Sequence, residues 1–271
     1  GNGGTGKTTV CEHIVRSRKP YIEYKEDRET TIIPAFYSSL SENATPSRVA
    51  ARMLGAMNVA DSKSREVESI TERLRKNLII CKTEVILLDE LQHLLDKVKA
   101  RRKDVKEWLK TLINDSKIPL IIVGTPDCRK IINENDDQNQ ISRRFTTQIS
   151  LSNLHYGDSS KKGEFRLFLE GLIDLFDRET NTKFDLDFRT ETESLTVFAA
   201  TSGNPAITVQ LLKEACITSL ENEHTKVTKE DLIETFDRLT LPRDIPIIGN
   251  PFSMDRCQIN AAIQNYFRPL S

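Results

Sequence analysis

The run Gly1-Asn2-Gly3-Gly4-Thr5-Gly6-Lys7-Thr8 fills every position of the phosphate-loop pattern G-x-x-x-x-G-K-[ST]. A glycine-rich turn that enters a helix aims backbone N–H groups at phosphate oxygens, at the positive end of the helix dipole. In such a loop the Lys7 ammonium reaches the β- and γ-phosphates, and the Thr8 hydroxyl ligates Mg²⁺. Gly1 to Thr9 is therefore the expected nucleotide cradle. The pattern requires a strand before it and a helix after it, which restricts the chain to α/β architectures. That first strand is not in the sequence and residue 1 is not Met, so the expectation is a numbering that begins inside a domain.

The rest of the N-terminal half reads as alternating β and α. Helix is expected from Thr8 to about Arg18, a second strand over Thr31–Tyr37, and helices from Pro46 and over Ser64–Leu78. Two fully apolar runs follow. Val85-Ile86-Leu87-Leu88 ends in Asp89-Glu90, and Pro119-Leu120-Ile121-Ile122-Val123 ends in Gly124-Thr125. Continuous apolar runs suit strands buried on both faces of a parallel sheet. Between them Val105, Trp108, Leu109, Leu112 and Ile113 recur at helical spacing, the mark of a crossover helix. Thr146–Leu151 reads as a further strand.

From Ser152 the periodicity is purely helical, over Phe165–Phe176, Glu191–Thr201, Pro205–Leu220 and from Thr228 onward. After Leu241, prolines and glycine break the pattern, with one short helix expected near Cys257–Tyr266. The expected organisation is an α/β nucleotide-binding core over 1–151, a helical lid over 152–240, and an irregular tail with little core of its own over 241–271.

Val85–Glu90 has the form of a Walker B strand, in which Asp89 holds Mg²⁺ and Glu90 polarises an attacking water. Thr125, at the end of the next strand, either contacts the γ-phosphate and water or caps the turn before Pro126. Arg143-Arg144-Phe145 is either a solvated pair beside a buried Phe or the source of an arginine finger for a neighbouring subunit. Lys97, Lys99, Arg101, Arg102, Lys103 and Lys106 form a basic run that reads as a solvated face or a phosphate-binding surface. Arg48, Lys63 and Arg65 form a second cationic set. The four His show no metal-ligand spacing.

The net charge of −1 gives no global basic field, so nucleic-acid binding must rest on local patches. Five scattered cysteines fit free thiols in a reducing cytosol better than a disulfide framework. No apolar run is long enough to span a membrane as a helix, and no membrane partner is expected.

With Walker A, Walker B, Val123-Gly124-Thr125, Arg143-Arg144-Phe145 and a helical lid in order, the chain resembles an AAA+ ATPase. Asp89-Glu90-Leu91-Gln92-His93-Leu94, Trp108 to Asn114 and Ile118 to Pro126 are similar to the TniB/TnsC transposition regulators. That resemblance implies a bacterial, cytoplasmic ATPase using ATP and Mg²⁺. It implies rings or filaments of the protein on double-stranded DNA. It also implies partners: a target selector of TniQ or TnsD type, sometimes with a CRISPR effector, and a transposase of TnsA/TnsB type. Carried over by position, Lys7 and Thr8 match Walker A, Asp89 and Glu90 match Walker B, and Thr125 matches sensor 1. Arg144, or else Arg143, matches the arginine finger, and Ser41–Arg48 with Lys63 and Arg65 matches the DNA-facing elements. One departure stands out: Ser202-Gly203-Asn204-Pro205-Ala206-Ile207 has no arginine where many AAA+ lids carry sensor 2.

Competing readings are a small-molecule kinase, an initiator or clamp-loader ATPase, and a DNA scaffold that binds ATP with little hydrolysis. The Asp-Glu pair followed by a helical lid disfavours the kinase, and Glu90 disfavours a dead site.

Overall fold

A computed structural model describes residues 1–271 apart from 26–27, 60–65, 95–98, 134–144, 146, 158–160, 181, 243, 246 and 268–271. The chain divides into two compact units. One holds Gly1 and Lys7–Ser150, and the other holds Asn2–Gly6 and Leu151–Ser271.

The first unit is built on a three-stranded parallel sheet of β3 (Ala35–Ser39), β4 (Val85–Asp89) and β5 (Leu120–Ile122), in that spatial order. The apolar run of β4 is explained by burial on both of its faces. Leu87 packs with Cys11 of α1 (Lys7–Ser17) and with Ala35. Ile86 and Leu88 join the opposite cluster, formed with α2 (Pro46–Ala56), α3 (Val67–Ile80) and α4 (Lys99–Ser116). The crossover-helix periodicity is realised in α4, where Val105, Trp108, Leu109 and Leu112 are buried. The Trp108 indole Nε1–H donates to Thr71 Oγ1 at 2.9 Å, satisfying the polar atom that its burial would otherwise strand.

Two expectations for this half are corrected. The strand expected over Thr31–Tyr37 is two strands, because Pro34 has no N–H to donate and interrupts the ladder. Its first part belongs instead to an antiparallel hairpin, β1 (Tyr21–Lys25) with β2 (Arg28–Ile32), anchored to the body by a 2.6 Å ion pair between Lys82 and Glu23. Residues 147–151 are not in a strand. Ile149 is 84% exposed, so among the described residues no sheet face covers the apolar–polar alternation there.

The second unit is helical: α6 (Glu164–Thr180), α7 (Glu191–Thr201), α8 (Pro205–Glu221) and α9 (Lys229–Arg238), with α5 (Cys128–Asn133) lying earlier in the first unit. Three of these N-termini are specified locally. Thr190 caps α7, Asn204 caps α8, and Thr228 forms a reciprocal capping box with Asp231 on α9. Helix α7 is buried all round from Ser194 to Thr201, and its hydroxyls bond back to carbonyls one turn earlier. The described residues of the C-terminal segment are irregular through Asn250, and α10 (Arg256–Phe267) follows. It is not coreless: Leu241, Ile245, Ile247, Phe252 and Ile259 are buried in the core of this unit. Apolar residues spaced irregularly along an extended segment can each fill a gap without producing a helical or strand period.

Candidate nucleotide site

The parallel register carries Asp89 to the carboxyl end of the sheet, opposite Ser39. Its side chain is fully buried (0% exposed). Isolating a carboxylate from water costs several kcal/mol unless donors replace the lost hydration. Here they do. Thr8 Oγ1–H, in the first turn of α1, donates to Oδ2 at 3.1 Å, and Tyr37 O–H, on β3, donates to the same oxygen at 3.0 Å. The Glu90 backbone N–H donates to Oδ1 at 2.7 Å. Burial, and then the bond to Asp89, push the Tyr37 phenol up to about 12, so it stays a donor at neutral pH. Tyr37 carries no motif signature. Its only trace in the sequence is a place on the strand beside Walker B.

Glu90 leaves the strand with φ of 62°, turning the chain into the 3₁₀ segment Leu91–Leu94. Its carboxylate is engaged. Gln92 Nε2–H donates to Glu90 Oε2, and His93 Nε2 lies 3.5 Å from the same oxygen. The other end of the Gln92 amide accepts the Thr125 backbone N–H at 3.3 Å and the Cys128 thiol at 3.6 Å. Gln92 thus joins the acid after β4 to the turn after β5. The sequence marks it as part of a motif but discloses no role. Gly124 permits this closeness, since a Cβ there would run into Cys128 Sγ and sit 2.8 Å from Gln92 Oε1. Thr125 is half-buried in this turn.

Of the glycine-rich loop, Gly1 and Lys7–Thr9 belong to the first unit, and Asn2–Gly6 cluster with the second. Gly4 (φ 73°) and Gly6 (φ 87°) occupy left-handed backbone that a side chain would strain. Thr5 Oγ1–H closes the turn on the Asn2 carbonyl at 2.9 Å. Lys7 is half-buried at the start of α1.

The donor set fits a hard divalent cation. Thr8 hydroxyl and Asp89 carboxylate are hydrogen-bonded oxygens, and Mg²⁺ takes a few oxygen ligands of this kind together with waters and phosphates. Among the described residues no group of three or more His, Cys, Asp or Glu is arranged to hold a metal by itself.

Arg143, Arg144, Lys63 and Arg65 lie outside the described residues. Arg48 and Arg52 lie one turn apart on α2, with their guanidiniums at the surface. Both line an open groove with Ser41, Glu42, Asn43 and Ala51. The guanidiniums are braced on backbone, Arg48 Nη1–H on the Asn43 carbonyl at 3.2 Å and Arg52 Nη1–H on the Ser39 carbonyl at 3.0 Å. In the sequence Arg52 is readable only as the i+4 neighbour of Arg48. The basic run after Walker B is not a uniformly solvated face, because Lys106 is buried. All five cysteines are free thiols, and no helix among the described residues is long and apolar enough to cross a membrane.

Solved structures share this architecture. The chain is similar to the Aeropyrum pernix ORC2 protein in its ADPNP–ADP complexes, with TM-score 0.63 and 13% identity over 90% of this chain and 61% of that one. It is similar to CDC6P from Pyrobaculum aerophilum, with TM-score 0.58 and 14% identity over 92% and 62%. It is also similar to the Aeropyrum pernix ORC1 protein in complex with DNA, with TM-score 0.56 and 17% identity over 87% and 57%. The chain spans about three fifths of the length of each. At these identities the likeness is one of fold, a P-loop AAA+ core followed by a helical subdomain. No curated protein sequence matches the chain. Residues 1–154 match the family model described as the bacterial TniB protein. That match covers more than half of the sequence, and the chain belongs to the TniB family.

Proposed function

We propose that this protein is an ATP-dependent, DNA-bound oligomeric adaptor of transposition, linking target selection to transposase recruitment. The observation that carries the nucleotide part is the bond from Thr8 to the fully buried Asp89. A P-loop hydroxyl and a Walker B acid meeting directly is the arrangement that binds Mg²⁺ beside nucleotide phosphates. Lys7 binds the β- and γ-phosphates as a point charge, Gly1–Gly6 and Thr9 offer backbone to them, and Thr8 and Asp89 hold the ion. When bound, Mg²⁺ neutralises charge on the phosphate oxygens. Glu90 takes the proton of the attacking water, and Thr125 orients that water from the neighbouring strand end. Gln92 and His93 hold the Glu90 carboxylate in place until a water claims it. Arg144, with Arg143 as its alternate, completes the site of an adjacent copy, so hydrolysis depends on assembly.

Double-stranded DNA is met by Arg48 and Arg52, joined by Lys63 and Arg65. Backbone-braced guanidiniums along one groove suit phosphates and carry no sequence information. The protein partners are further copies of this chain, a target selector of TniQ or TnsD type and a transposase of TnsA/TnsB type, in the bacterial cytoplasm.

Electron microscopy with ATP, with and without duplex DNA, tests this reading. Rings or filaments that need both are expected, and monomers in every condition overturn it. A second reading, an initiator-type ATPase, is favoured by the likeness to the ORC and CDC6 structures. Co-sedimentation of the DNA-bound assembly with a purified transposase supports the adaptor. Loading of a helicase instead supports the initiator.

A further inference from the structure

The start of α8 occupies the place where an arginine is missing, and the bonds it makes are unusual. Asn204 is nearly buried, 6% exposed. Its Oδ1 accepts the backbone N–H groups of Ala206 at 3.1 Å and Ile207 at 3.3 Å, capping the helix. Those two donors fix which end of the amide is oxygen, so Nδ2 must point the other way. It donates to the Gly3 carbonyl at 2.9 Å and to Asn153 Oδ1 at 3.2 Å. Ala206 N–H also donates to the Gly4 carbonyl, at 3.2 Å. Two successive carbonyls of the phosphate loop are therefore bound to the first turn of α8, all within the second unit.

The consequence follows from peptide geometry. In a trans, planar peptide the C=O and the following N–H point in opposite directions. Turning the Gly3 carbonyl toward Asn204 turns the Gly4 N–H away from α8. Turning the Gly4 carbonyl toward Ala206 does the same for the Thr5 N–H. Neighbouring N–H groups brought to one side make an anion-binding concavity. The approach leaves no slack, since a Cβ on Gly4 would lie 2.5 Å from Asn204 Oδ1 and 3.0 Å from the Ala206 Cβ.

We infer that Asn204 is a positioning residue for nucleotide binding, which orients the phosphate loop through the Gly3 and Gly4 peptides instead of touching a phosphate. The inference rests on the reading of Gly1–Thr9 as the nucleotide cradle. It assigns a job to the lid helix that has no sensor 2 arginine: the helix acts on the loop's backbone.

Asn204→Asp and Asn204→Ser test it, because both residues cap helices about as well as Asn while neither offers an amide donor. Fluorescent ATP and ADP are titrated into the wild-type chain, the two variants and Lys7→Ala, with thermal unfolding followed by circular dichroism. Both Asn204 variants are expected to unfold near the wild-type temperature and to bind ATP roughly tenfold more weakly, the scale of one lost hydrogen bond. Wild-type affinity in both variants overturns the inference while leaving the cradle intact. Weakening in Asp but not in Ser also overturns it, because charge repulsion then accounts for the effect. A wild-type chain that binds no better than Lys7→Ala removes the cradle reading, and the inference with it.

Discussion

Tyr37 and Thr8 donate to one and the same oxygen of Asp89, each from a different element of the first unit. The threonine bond is the one that a bound cation would take over, whereas the tyrosine bond stays. On the proposed function, Tyr37 would keep the buried carboxylate aimed if Thr8 changed partner. Tyr37→Phe is expected to lower stability by about 1.5–3 kcal/mol, the range for losing a bond to a charged group. It should also raise the Mg²⁺ concentration needed for half-maximal ATPase activity. Chemical denaturation and a Mg²⁺ titration check the two effects, and an unchanged Mg²⁺ requirement would confine Tyr37 to a structural part.

On the proposed function, Glu90 and Gln92 should separate binding from turnover. Glu90→Gln should lower turnover on the order of 100- to 10,000-fold, as expected for loss of a general base. Its ATP affinity and assembly on DNA should persist. Gln92→Ala leaves the base in place but removes its tie to the Thr125 turn, so kcat should fall by a smaller factor while KM holds. Steady-state kinetics on both variants decide this, and wild-type turnover in Glu90→Gln would remove the assignment.

Arg48→Ala and Arg52→Ala should each flatten the salt dependence of duplex binding. Each phosphate left without its cation lowers the log–log slope by about one, without changing sequence preference. Fluorescence anisotropy at several salt concentrations, on two unrelated duplexes, provides the measurement. Unchanged slopes would take the α2 groove out of the DNA interface.

The second unit carries an acid-sensitive lock. Burial alone would raise the Asp231 carboxyl, but bonds from Thr228, Asn222 and His224 outweigh it and bring the group down from 3.8 to about 2. A folded value below the unfolded one contributes stability that is present above about pH 4 and is lost as pH falls toward 2. Asp231→Asn should therefore unfold at a lower temperature than wild type near neutrality. The gap should close across that acid window. A gap independent of pH would show that packing, not charge, accounts for the difference.

The features legible in the sequence are those that repeat or that chemistry dictates. The Gly1–Thr8 pattern, the apolar run of β4, the Trp108 helix and the helix start at Thr228 each carry a local signal strong enough to read. What stays hidden depends on distant partners. Tyr37 matters because β3 lies beside β4, and Asn204 matters because a loop far earlier in the chain packs on it, at a separation of 201 residues for the Gly3 bond. Thr147–Leu151 alternates like a strand but pairs with no strand among the described residues, and the buried residues after Leu241 have no period at all. Periodicity reports one element's own face and is silent about which residue from another element will meet it.

The left-handed backbone at Glu90 has a consequence for evolution and engineering. A side chain at such a φ is disfavoured relative to glycine by about 1 kcal/mol. Glu90→Gly should thus relieve that strain while losing the carboxylate, so a screen for thermostability alone would drift toward a hydrolytically silent protein. If Glu90 acts as proposed, retention of an acid at that corner across relatives would be a record of selection for turnover acting against the conformational preference of the chain.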